Sequence, residues 1–87
     1  MTKTINNIYS IYDTEAELYS PLYEAVNDKV AVRSFKDNIL SKNSEMADVI
    51  NLVRLGSVDR ESGLIISCKP LTVAKGATIT IQEQING

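Results

Sequence analysis

The 87-residue sequence contains no histidine and no tryptophan, one cysteine and one phenylalanine. Without histidine the usual near-neutral proton shuttle is missing, and zinc and copper sites lose their commonest ligand. Neither a Ser–His nor a Cys–His nucleophile can be built. The glycines, Gly56, Gly63, Gly76 and Gly87, are scattered and form no phosphate-cradling loop. The chain therefore reads as non-enzymatic, with no cofactor, no metal and no small-molecule substrate expected. Asp13, Glu15 and Glu17 could in principle hold a hard cation, but they read as a solvated acidic loop.

Cys68 stands alone, which excludes an intramolecular disulfide, and its place in the apolar run LIISC reads as a small buried hydrophobe suited to a reducing cytoplasm. The first residues, MTKTINN, lack the apolar run of a signal peptide, and nowhere do 18 uninterrupted apolar residues occur to span a bilayer. No membrane association is expected, and the localisation expected is the cytoplasm. Nine Lys and Arg against eleven Asp and Glu give a net charge of −2. That balance excludes a strongly basic DNA-coating protein, although a local basic stripe can still attract phosphate.

What is present is aliphatic. Leu, Ile, Val and Phe supply 25 of the 87 residues, too many for a disordered chain, so residues 1–87 read as one small folded domain. At this size only about 60–65% of the unfolded chain's surface is buried. A homo-oligomer would help such a domain.

Periodicity predicts a strand over residues 5–12, with Tyr9 and Ile11 on one face and Ile8, Ser10 and Tyr12 on the other. A loop or single helical turn follows at 13–17, where Thr14 and Glu17 fit a capping box, then a second strand over 18–26 with Pro21 near its start. Asn27 or Asp28 should cap the main helix, which runs to about Ser41 with Val32, Phe35 and Ile39 as its core face. Ser44 can cap a short second helix ending at Val49. Strands at 52–58 and 64–69 flank the hairpin turn Asp59-Arg60-Glu61-Ser62-Gly63. Pro70 should end that pairing, Thr72 to Gly76 form a turn or short helix with Gly76 as its stop, and residues 77–82 make a last strand before a frayed end at 84–87. The fold class is α+β, of order ββαβββ, with a mostly antiparallel sheet of about five strands packed against one main helix.

The candidate binding residues are Tyr9, Tyr12, Tyr19 and Tyr23, with Lys29, Arg33 and Lys36 on one stripe of the helix. Single-stranded nucleic acid is gripped by rings that stack on bases beside cations that track the backbone. The bland alternative is that the tyrosines fill sheet faces and the stripe is a solvated surface, with Arg33 pairing Asp37.

Several short blocks carry a resemblance. They are SIYD at residues 10–13, Ala16 and Tyr19 shortly after, Pro21, the Asn27-Asp28 pair, A-x-R-x-F at Ala31, Arg33 and Phe35, and G-x-x-D-x-x-x-G at Gly56, Asp59 and Gly63. Together they resemble the small nonstructural protein of the gokushoviruses, microvirus-type phages with circular single-stranded DNA genomes. The resemblance implies a product of the replication phase, absent from the mature capsid, in the bacterial host cytoplasm. Its implied partner is single-stranded DNA or the phage replication proteins, during genome replication or the switch to packaging. The alternative is a protein adaptor or assembly factor that docks through its sheet edge without touching DNA.

Overall fold

The period-two pattern near the N-terminus forms β1 (Ile5–Asp13), the middle of a single antiparallel sheet in the computed structural model, which describes residues 4–79. One edge of β1 pairs along its length with β4 (Ile50–Asp59), from Ile5↔Asp59 to Asp13↔Ile50. Its other edge is shared by β2 (Leu18–Tyr19), opposite Tyr12 and Asp13, and β3 (Tyr23–Ala25), opposite residues 7–9. β5 (Ile65–Lys75) is the outer edge beyond β4. The fold is the expected α+β, a five-stranded antiparallel sheet with one main helix, although three strands precede the helix and two follow it.

The strand expected over residues 18–26 is split because Pro21, with no N–H for the ladder, falls inside it. Ser20 bridges the gap. Its N–H donates to the Ile11 carbonyl at 2.9 Å, and its Oγ accepts the Ile11 N–H at 3.0 Å. The fully buried Ser10 hydroxyl donates to the Ser20 carbonyl at 2.8 Å.

Asn27 is the helix cap, its side-chain oxygen accepting the Val30 N–H at 2.9 Å. α1 spans Asp28–Ser34 and then widens into a π-helical stretch, Phe35–Leu40, instead of continuing as α-helix to Ser41. Residues five apart lie about 140° apart around an α-helix but fall close to one face where i→i+5 bonds form. Phe35 and Leu40 are five apart and both buried, so the wider winding seats both in the core. There they meet Tyr9, Ile50 and Leu52 of the sheet, together with Ala31, Ala47 and Ile79. The short second helix is a 3-10 helix, Ser44–Val49.

The β4–β5 hairpin turns as expected. Asp59 Oδ1 accepts the Glu61 N–H at 2.9 Å, and Gly63 takes the left-handed φ of 78° that the turn requires. Beyond it the structure corrects the sequence reading. β5 does not end at Pro70 but runs to Lys75, with Cys68, Lys69 and Pro70 bulging opposite Leu55 alone. An edge strand tolerates proline at such a bulge, and the same bulge leaves Cys68 exposed where a buried residue was expected. Residues 72–75 are therefore strand, and residues 76–79 are helical where a last strand was expected. Residues 80–82 of that strand and the frayed end at 84–87 lie outside the described residues. Gly76 is not a helix stop. It lies where a Cβ would run into the carbonyl oxygens of Ala47 and Ile50.

Candidate binding surfaces

Alternation along β1 sends Tyr9 and Ile11 toward the helix and Ser10 and Tyr12 to the opposite face, and the tyrosines divide accordingly. Tyr9 is fully buried, with its ring centroid 6.0 Å from that of Tyr23. Its hydroxyl donates to Asp28 Oδ1 at 2.5 Å and accepts from Asn7 Nδ2 at 3.0 Å. Arg54 Nη1 reaches the same Asp28 carboxylate at 3.3 Å. Tyr9 thus ties β1 and β4 to the start of α1. Neither it nor Tyr23, half-buried against the core with its hydroxyl oxygen buried, offers a ring for a base to lie on. The expected stacking role of these two rings is corrected: the sheet face they share is the one the helix covers.

Burial, reinforced by the hydrogen bond to Asp28, pushes the Tyr9 hydroxyl up to about 12 from 10.0. The fold favours the protonated form, so its contribution is complete below pH 10 and is lost as pH rises through about 12. That difference corresponds to roughly 2–3 kcal/mol. Urea titrations should show stability falling across this window in the wild type and a shallower fall in Tyr9→Phe.

Burial also raises the Tyr23 pKa, and its hydroxyl has no hydrogen-bond partner among the described residues. Removing an unsatisfied buried hydroxyl should help, so Tyr23→Phe is expected to gain about 1 kcal/mol in urea unfolding. A loss of stability would show that the hydroxyl is satisfied.

Tyr12 and Tyr19 form a cross-strand pair with ring centroids 4.7 Å apart, Tyr12 half-buried and Tyr19 45% exposed. They lie on the sheet face away from the helix. Lys29, Arg33 and Lys36 are all exposed on the helical layer across the sheet. The expected groove of four rings and three cations is therefore not brought together within one copy. Lys29 and Arg33 enter no ion pair among the described residues, whereas Arg54 pairs with Asp28 and Arg60 with Glu24. Asp13 braces its own turn, its Oδ1 accepting the Glu15 and Ala16 N–H groups at 2.9 and 3.0 Å. Thr14 does not form a capping box with Glu17, since both its N–H and its hydroxyl donate to the Val49 carbonyl. No group of three acidic or thiol side chains among the described residues could hold a metal ion. No helix among them is long and apolar enough to cross a membrane.

The largest feature that sequence reasoning missed is apolar. Leu64, Ile65 and Ile66 are 61%, 64% and 60% exposed, and Leu71 is 48% exposed. The run LIISC reads as a hairpin strand with Cys68 buried, yet it lies along the outer edge of the sheet and is exposed. Beside it Ile8, Leu22, Tyr23, Val58 and Ile65 line a shallow groove with Glu24 at its rim. Glu24 is held there by Arg60 Nη1 at 3.0 Å and Asn6 Nδ2 at 3.3 Å.

The family model described as Phage ORF5 protein matches residues 6–79, nearly the whole described chain. The chain belongs to the phage ORF5 family. The match runs from within β1 through β5 and the helical residues 76–79. No curated protein and no solved structure matches it.

Proposed function

We propose that this member of the phage ORF5 family acts by binding rather than catalysis, docking other protein surfaces through its uncovered β5 flank during genome replication or the switch to packaging. The observation that carries this reading is the run Leu64, Ile65 and Ile66, about 60% exposed where the outer edge strand begins. Contiguous apolar surface rimmed by polar groups marks interaction sites, and an edge strand offers backbone groups to a partner. The resemblance to gokushovirus nonstructural proteins supports a replication-phase role in the host cytoplasm. In phage carrying Ile65→Asp, burst size should fall by about an order of magnitude or more. A normal burst from a stably folded variant overturns the reading.

The exposed Tyr12–Tyr19 pair supports a second reading, single-stranded DNA bound at that end of the sheet, where stacking is worth about 1–3 kcal/mol per base. The chain has no tryptophan, so tyrosine alone supplies its emission. Salt-sensitive quenching by an oligonucleotide that disappears in Tyr19→Ala favours this reading, and unchanged emission removes it.

A further inference from the structure

Resting on the single-strand reading, we infer that the DNA lies across the sheet on a row formed by Tyr19, Tyr12, Asn51 and Lys75, with Lys75 holding its phosphate in place of the helix cations. The pairing register builds this row. Tyr12 stands opposite Tyr19 on β2 and opposite Asn51 on β4, and Asn51 in turn stands opposite Lys75 on β5. Directly opposed residues of antiparallel strands project from the same face, so four neighbouring strands set these side chains side by side. Asn51 lies between Ile50 and Leu52, both packed in the core under the helix, and alternation therefore puts the row on the face away from the helix.

The chemistry of the row suits a nucleotide. The rings of Tyr12 and Tyr19 have centroids 4.7 Å apart and form an aromatic platform. The half-buried Asn51 enters no side-chain hydrogen bond among the described residues, and the exposed Lys75 enters no ion pair among them. Strands lie about 4.8 Å apart, so Lys75 stands about 10 Å from Tyr12. A nucleotide whose base lies on Tyr12 sets its sugar and phosphate across that gap, where the four-carbon stem of the lysine carries an ammonium group to meet it. Asn51, between them, can donate to and accept from the edge of the base.

The surroundings leave that charge unopposed. The next row on the same face, Ser10, Val53 and Thr72, carries no charge. Asp13, next along β1, projects to the other face and spends Oδ1 on the Glu15 and Ala16 N–H groups. An apolar partner laid on the row would bury the amide and the ammonium unpaired, at a cost, whereas a nucleotide engages all four side chains.

Fluorescence anisotropy of a short labelled oligodeoxynucleotide, titrated with the full chain at several salt concentrations, tests this. Lys75→Gln should weaken binding and flatten the plot of log K against log salt by about 0.7, the contribution of one single-strand phosphate. Tyr19→Ala should weaken binding by about fivefold or more with the slope unchanged. Asn51→Ala should cost about twofold to tenfold. Lys29→Gln, on the helical layer, should alter neither affinity nor slope. Bound oligonucleotide should also protect Lys75, and not Lys29, from acetic anhydride in the wild-type chain, a readout that needs no variant to fold. If Tyr19→Ala weakens binding while Lys75→Gln leaves affinity and slope at wild-type values, this proposal is overturned and the single-strand reading stands. A wild type that binds no oligonucleotide even at low salt overturns both.

Discussion

Gly76→Ala is expected to cost about 3 kcal/mol or more. The added Cβ meets the carbonyl oxygens of Ala47 and Ile50, one in the 3-10 helix and the other opening β4. A crowded side chain can change rotamer, but these two oxygens are part of the backbone. Relief requires residues 76–79 to move away, and Ile79, which is 8% exposed, would then leave the core. Urea unfolding of the variant should show this as a large drop in midpoint, and a change within about 0.5 kcal/mol would mean the approach is looser than described.

Asp28→Ala should come next, at about 2–3 kcal/mol. One carboxylate accepts the buried Tyr9 hydroxyl at 2.5 Å and holds Arg54 at 3.3 Å, so its loss leaves a buried donor and a cation without their acceptor. Asn27 caps the helix independently, so the cost is not that of a lost cap. Asp28→Asn keeps an oxygen for Tyr9 and should recover part of the loss. Equal destabilisation by the two variants would show that the charge on Arg54, not the Tyr9 hydrogen bond, sets the cost.

The local chemistry was legible where one residue type has one strong preference. Asn27 as a cap and Asp59 and Gly63 as a turn depend on groups acting within a few residues of themselves, and Phe35 as a core residue follows from the helical period of its apolar neighbours. The β5 region was not legible, because an apolar run such as LIISC looks the same whether tertiary neighbours cover it or not. Pro70 read as a stop since its tolerance at an edge bulge depends on a strand order that one chain does not reveal. Which tyrosines the helix covers was not legible for a related reason. Tyr9 and Tyr12 are three apart on one strand and so face opposite ways, but only the helix's position decides which face is covered.

That division of the rings is the centre of the account, because it removes the four-tyrosine groove and leaves the β5 flank as the main uncovered surface. Photochemically induced nuclear polarisation, which enhances only tyrosines that a dissolved dye can touch, measures it directly. Tyr19 should be enhanced strongly and Tyr12 weakly, with Tyr9 and Tyr23 silent in the native protein and all four appearing after unfolding. Enhancement of Tyr9 or Tyr23 in the folded chain would contradict the account.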